Sequence, residues 1–230
     1  MMKIATFSLD VESGKYKYSL ECFEKLIKKF EPKKTVYYTV EFIGEDFESA
    51  DAVIFDIKKR FDFVFIDIEK ITKRIERSGD PAEKEVLLNA QRVVEGEEVL
   101  CDHVFSPEEH NILANLSLVT YKPCLGADGS GDINLLIEKV LVKTGRILFF
   151  TAAKKELRAW DVKKGSSVVA AAARVHSDLA RGFIQADVIN CKDIDNFFNM
   201  AEARARGFVQ SVGKEYIVSD GDIIEVKFNV

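Results

Sequence analysis

Three periodicities divide the chain. Period-two or fully apolar runs predict strands at Lys3 to Leu9, Thr35 to Ile43 and Ala52 to Ile57. Spacings of three and four at Leu20, Phe23, Leu26, Ile27 and Phe30 predict a helix that stops before Pro32. Asp10 to Lys17 between these elements reads as a polar turn. Ile68, Ile71 and Ile75 open another helix, broken at Ser78-Gly79-Asp80-Pro81. Asp80 as N-cap, Pro81 in the first position and Glu83 as the partner of a capping box restart the next. Val86, Leu87, Ala90, Val93 and Val94 give its apolar side, and Gly96 ends it. The pair forms a helical hairpin at about 67–96.

Ser106-Pro107-Glu108-Glu109 is a further helix start, with the helix expected to reach Leu118. Lys122 to Leu125 reads as a strand end and Gly126 to Gly131 as a glycine-rich turn. Asp132 to Thr144 reads as a helix stopped by Gly145. From Arg146 the elements shorten. Two strands lead into a small-residue helix at Val168 to Val175, and a third strand, a helix from Asp193 to Arg206 and a last alternating strand, Asp222 to Val230, follow. A few strands around one alanine-rich helix predict a β-grasp-like domain. The expected organisation is an α/β domain at 1–145 and a β-grasp domain at 146–230.

Composition alters this picture in one respect. The net charge of −5 conceals 13 Lys/Arg against 11 Asp/Glu in 146–230, and an acidic remainder. The mildly basic module directs attention to nucleic-acid partners. Apolar runs are too short for a membrane span, and the start of the chain lacks a signal-peptide core, so a cytoplasmic location without membrane partners is expected. Cys22, Cys101, Cys124 and Cys191 share no repeated spacing, which argues against a disulfide framework or zinc ribbon. Cys101-Asp102-His103, with His110 seven residues on, is weighed as a metal site and read instead as ordinary cysteine surroundings. No metal site is assigned.

The C-terminal motifs carry a resemblance. Phe149-Phe150-Thr151-Ala152, Lys155 to Trp160, Lys164-Gly165, Val175-His176-Ser177-Asp178, Arg181 to Ile189, Asp220-Gly221-Asp222 and Phe228-Asn229-Val230 resemble the C-terminal domain of the YchF (Obg-like ATPase) family, which is related to TGS modules. Leu116, Leu118-Val119-Thr120 and Lys122-Pro123 resemble the family segment leading to its base-reading motif, and Asp67-Ile68-Glu69 a shortened form of its helical insertion. The resemblance implies a reduced P-loop GTPase-like α/β domain with a short helical-hairpin insertion, followed by a TGS-like β-grasp domain.

The phosphate loop is where the chain departs. A P-loop, G-x-x-x-x-G-K-[ST], turns backbone N–H groups and a lysine toward phosphate and a hydroxyl toward Mg²⁺. Here Ser8 to Tyr16 keeps Gly14-Lys15, lacks the first glycine, and places Tyr16 at the magnesium position with Asp10 and Glu12 nearby. Ser13, Gly14 and Lys15 are therefore either a relic ATP- or GTP-binding cradle or a solvated turn. The switch and base-reading motifs are also missing, and no catalytic residue is assigned.

The resulting expectation is a non-hydrolysing pseudo-GTPase whose TGS-like domain contacts RNA, the ribosome or a protein partner. Residual nucleotide binding and small-ligand sensing are the alternatives. Lys154, Lys155, Arg158, Lys163, Lys164, Arg174 and Arg181, beside Trp160, are the candidate contacts, since cations with an aromatic neighbour suit phosphate contact and base stacking. Trp160 as a core residue is the competing reading. His176-Ser177-Asp178 cannot form a triad between adjacent side chains and is read as a helix cap.

Overall fold

The protein, a computed structural model, is described at residues 1–129 and 131–229; Ser130 of the glycine-rich turn and Val230 of the last expected strand lie outside the described residues. The strands are β1 (Met2–Phe7), β2 (Gly14–Tyr18), β3 (Thr35–Val36), β4 (Tyr38–Phe42), β5 (Ala52–Asp56), β6 (Cys124–Ala127), β7 (Arg146–Ala152), β8 (Leu157–Lys163), β9 (Phe183–Asn190), β10 (Gln210–Val212) and β11 (Asp222–Phe228). The helices are α1 (Glu21–Phe30), α2 (Arg60–Arg77), α3 (Pro81–Glu95), α4 (Pro107–Ala114), α5 (Ile133–Lys143), α6 (Val168–Val175), α7 (Ser177–Arg181) and α8 (Met200–Ala205). They form two compact units, one of 1–16 and 39–144, the other of 17–38 and 145–230. The segment 17–38, read from sequence with the N-terminal half, thus lies in the second unit.

The first unit is built on a five-stranded sheet in the order β2-β4-β1-β5-β6. β1 runs parallel to β4 and β5, and β5 parallel to β6. The continuous burial of Ala52 to Phe55 follows from helices and strands covering a parallel strand on both faces. Phe55, Phe63, Val64, Ile71, Leu87, Ala90 and Leu113 share one core. That core explains why α2 begins at Arg60, two turns ahead of Asp67: Phe63 and Val64 extend the buried stripe continued by Ile71.

The helix starts are only partly as expected. Asp80 accepts from the Ala82 N–H at 2.9 Å, but Glu83 turns away from the cap to Ser78 Oγ at 2.5 Å and Arg74 Nε at 2.7 Å, so no capping box closes. The box at Ser106 and Glu109 does close, with bonds of 3.2 and 2.7 Å. α4 stops at Ala114 instead of reaching Leu118, and the left-handed Ser117 (φ 50°) turns the chain.

The second unit has a six-stranded sheet ordered β10-β9-β11-β7-β8-β3. The β7–β8 hairpin, the parallel β11–β7 pair and α6 across one face make the expected β-grasp arrangement. Ala171 and Ala172 are buried there, allowing α6 close approach to a layer containing Phe149 and Ala186. α1 also belongs to this unit, its Phe23 ring 5.3 Å from Phe150. The run expected as one strand from Thr35 to Ile43 splits at Tyr37. β3 joins β8, with Thr35 opposite Leu157, while β4 joins β1 in the other sheet.

The helix expected over Asp193 to Arg206 is interrupted. A 3-10 segment, Cys191–Asn196, gives way at the buried Phe197, and Asn199 caps α8 by accepting from the Glu202 N–H at 3.0 Å. The cysteine spacing also misleads. Cys22 and Cys191 are joined by a disulfide, their Cα atoms 6.1 Å apart, across 169 residues of sequence. A bond between positions so distant leaves no local signature.

Two buried carboxylates brace the β-grasp sheet. Asp161 pairs with Arg146 and with Arg174 (2.7 Å), and Asp187 with Lys227 (2.8 Å), Arg204 (3.2 Å) and Ser211 (2.7 Å). Burial opposes ionisation of both. Arg174 and Arg146 outweigh it at Asp161, and Lys227, Ser211 and Arg204 outweigh it at Asp187, so both lie below the usual carboxylate range. A carboxyl whose folded-state pKa is lowered contributes stability above its unfolded value of about 3.9, and that stability is lost as pH falls through the folded value. Urea midpoints followed by the single Trp160 are therefore expected to hold from neutrality to about pH 5 and to drop below about pH 4. The Asp161→Asn/Asp187→Asn double variant should start lower and lose less; a wild-type-like acid slope in that variant would refute the assignment.

Candidate functional site

A phosphate cradle needs converging N–H groups between a strand and a helix N-terminus. Ser13 immediately precedes β2, and Gly14 and Lys15 are its first residues on the edge of the first sheet, replacing the turn expected there. Tyr16 donates its hydroxyl to the Glu12 carbonyl at 3.0 Å, and its ring meets Phe42 edge-on at 5.2 Å. The next helix, α1, starts after Leu20, which makes no side-chain cap, and lies in the other unit. With the lysine exposed on extended backbone and the tyrosine hydroxyl engaged, these residues do not fit a triphosphate with its magnesium ion.

The crevice beyond the carboxyl ends of the parallel strands is where an open α/β sheet places ligands. Lys58 and Asp128, which follow β5 and β6, neutralise each other at 2.7 Å there. The motif residues near the hairpin are brought together instead as a structural clamp. Asp67, fully buried on α2, accepts from the Val119 N–H at 2.9 Å and from the Thr120 N–H and hydroxyl at 2.7 Å each. Lys122 Nζ donates to the carbonyls of Phe47, Glu48 and Ala50 at 2.7, 2.9 and 2.8 Å. Residues 118–122 are thus held from both sides by charged side chains, which composition and periodicity could not foretell.

The candidate cations of the second unit do not form one cluster. Lys154 and Lys155 occupy the β7–β8 turn, whereas Lys163 and Lys164 lie at the far end of β8, about 23 Å away at ~3.3 Å per residue. Arg174 is engaged with Asp161, and Arg181 with Asp178 at 2.9 Å. Arg158 and Trp160 share one face of β8, the guanidinium 3.9 Å from the ring centroid. The indole N–H donates to Thr151 Oγ1 at 3.0 Å, so half-buried Trp160 is part core and part surface.

Sequence reading missed two members of the group at the turn. β3 lies parallel beside β8 and carries Lys33 and Lys34 to the end that holds Lys154 and Lys155. The Lys33 N–H donates to the Lys154 carbonyl at 3.1 Å, and Lys34 pairs with Glu156 at 2.6 Å. Lys33, Lys34, Lys154, Lys155 and Arg158 converge on one sheet end with Glu156 among them. The signal was the Pro32-Lys33-Lys34 run, 120 residues from its partners.

Other readings resolve simply. His176 Nδ1 accepts from the Asp178 N–H at 3.2 Å, as a cap does. Cys101, His103 and His110 border a common cavity, but among the described residues no three metal-capable side chains are placed to hold an ion. No described helix is long and apolar enough to cross a membrane.

Comparison with known proteins follows the same division. Residues 147–229 match the family model YchF-GTPase_C, described as a protein of unknown function (DUF933). The ribosome-binding ATPase YchF of Bacillus subtilis is 42% identical over 106 residues, which are 46% of this chain and 29% of that protein. Obg-like ATPase 1 of Gallus gallus is 43% identical over 81 residues, 35% of this chain and 20% of the relative. The matched stretch therefore spans under a third of either relative. The Schizosaccharomyces pombe YchF GTPase structure superposes with a TM-score of 0.77 at 15% identity, covering 98% of this chain and 97% of that one, so the fold is shared throughout. Residues 147–229 thus form a YchF-type C-terminal domain, and the chain has the fold of a YchF protein along its length.

Proposed function

We propose that this protein is a YchF-type binding protein that uses the β3 and β7–β8 end of its β-grasp sheet to hold structured RNA on a ribosomal surface. The observation that carries the reading is the convergence of Lys33, Lys34, Lys154, Lys155 and Arg158 beside a half-buried tryptophan. Lysines neutralise phosphates without reading sequence, and an arginine lying on an indole offers a planar platform for an unstacked base. The name of the Bacillus relative, a ribosome-binding ATPase, supports the same partner class. The first unit is read as non-hydrolysing support, because Gly14-Lys15 opens an edge strand and Tyr16 stands where a magnesium hydroxyl would be needed.

Charge reversal of Lys33, Lys34, Lys154 and Lys155 to glutamate is expected to abolish co-sedimentation with ribosomes and to weaken structured RNA at least tenfold. If the four lysines each meet a phosphate, log K against log salt should have a slope of about −3 in the unaltered protein. The Lys163→Glu/Lys164→Glu pair, at the other end of β8, should have a much smaller effect. Equal binding by the fourfold variant would rule the surface out. Titration with ATP or GTP and magnesium is expected to show no saturation below millimolar nucleotide; tighter binding would overturn the reading of the first unit.

A further inference from the structure

The first unit contains a cavity of about 300 Å³ that the proposed function does not use. Cys101, His103, Phe105, His110, Tyr121 and Lys143 line it. Cys101 and Cys124 are free thiols; Cys101 is half-buried on the cavity wall, and Cys124 behind it is 2% exposed. The two are in contact, the Cys124 N–H donating to Cys101 Sγ at 3.3 Å, while Cys124 Sγ donates to the Val119 carbonyl at 3.4 Å. Lys143 enters the same cavity, anchored by an ion pair to Asp102.

This combination differs from a thiol buried for packing. An inert core cysteine has apolar neighbours, whereas a reactive one has hydrogen-bond donors, a nearby cation and access. Cys101 has the Cys124 N–H, Lys143 and partial access, set against the Asp102 carboxylate to which its own thiol donates at 3.8 Å. The adjoining Cys124 thiol, working against burial and aided by the Cys124 N–H and Lys143, holds the Cys101 thiol below the usual cysteine range. Burial, reinforced by Cys101, raises the Cys124 thiol well above it. A half-buried thiol whose deprotonation is favoured, in contact with a second thiol, supplies the two sulfurs that two-step oxidation requires, the first attacking and the second resolving.

We propose that the cavity is a reaction site for small hydroperoxides, with Cys101 as the attacking thiol and Cys124 as its resolving partner. In the first step Cys101 Sγ attacks the nearer peroxide oxygen and the O–O bond breaks. Sulfur is oxidised to Cys101–SOH, and the alkoxide or hydroxide leaves with the thiol's proton as alcohol or water. In the second step Cys124 Sγ attacks that sulfur, the S–OH bond breaks, and water leaves as the Cys101–Cys124 disulfide forms. The hydroperoxide is the only oxidant consumed. The His110–Tyr121 hydrogen bond across the cavity supplies polar groups that suit a peroxide and a departing hydroxyl.

The test uses the full chain with the Cys22–Cys191 bond intact and tert-butyl hydroperoxide or hydrogen peroxide as the probe. Both free thiols should disappear together, with a loss of two hydrogen masses and a linked pair of peptides containing Cys101 and Cys124. Cys124→Ser should stop at a Cys101 sulfenic acid trapped by a dimedone probe, and Lys143→Gln should slow the reaction. Cys101→Ser, tested beside Cys124→Ser in case either destabilises the fold, should lose the response while leaving Cys124 titratable in urea. An unchanged thiol count after hydroperoxide in the native chain, with both thiols released by urea, would overturn the proposal. So would a Cys124→Ser protein that gives no dimedone adduct.

Discussion

Asp67→Ala is expected to lower the stability of the first unit by about 4 kcal/mol, measured as a shift in the urea midpoint by circular dichroism at unchanged slope. The fully buried carboxylate is the acceptor for three donors on residues 119 and 120. Its removal leaves two backbone N–H groups and a hydroxyl without partners in a site closed to water, each worth ~1–3 kcal/mol when stranded. Asp67→Asn keeps one acceptor but turns an N–H₂ toward a donor, and should recover only part of the loss. Thr120→Val removes one donor together with its demand for a partner and should cost about 1 kcal/mol. A fall of under 1 kcal/mol for Asp67→Ala would mean that the 118–122 segment is held by other contacts, and Lys122 with its three carbonyls would be the place to look.

Phe63→Ala should be equally costly for a different reason. Phe63 is fully buried and stacked on Phe55, ring centroids 4.4 Å apart at 11°, with Phe7 and Phe47 at 5.5 and 6.5 Å. Truncation removes the transfer free energy of a ring and leaves a cavity among rigid neighbours, together ~3–5 kcal/mol. Phe63→Leu fills most of that volume and should cost about 1.5 kcal/mol. The pair distinguishes volume from ring stacking. If leucine proves as damaging as alanine, the stacked geometry carries more of the energy than the filled space, and cavity volume is the wrong account.

What could be read from the sequence divides along the range of the contacts involved. The Ser106–Glu109 capping box, the α2–α3 hairpin and the alternation ending at Phe228 depend on residues a few positions apart, and their side chains suffice to announce them. Dense C-terminal motifs likewise made the YchF-type C-terminal domain visible. Elements whose partners lie far along the chain were not announced. Gly14 to Tyr18 looks like a turn until β4 offers it an edge, and nothing local at Thr35 shows that it will pair with Leu157. The same blindness hid the Cys22–Cys191 bond and the contribution of Lys33 and Lys34 to the basic sheet end. Of the seven cations named from sequence, four fall outside that end: Lys163 and Lys164 lie at the far end of β8, and Arg174 and Arg181 are engaged with Asp161 and Asp178.

The division of the second unit between 17–38 and 145–230 has a consequence for the order in which the protein is made. Synthesis proceeds from the N-terminus, and compact units fold as they are completed. α1 and β3 emerge early, yet the strand that pairs with β3 is made more than a hundred residues later, and the cysteine that bonds Cys22 later still. The first sheet, by contrast, has its last strand once Ala127 has been added. During that interval the apolar face of α1, with Phe23 and Leu26, lacks its later partners such as Phe150 and has from its own unit only the nearby Tyr37 ring, 5.2 Å from Phe23. The nascent chain therefore carries a largely uncovered amphipathic helix until residues from 145 onward are made, and a chaperone that shields such a helix would act on residues 21–30 during that interval.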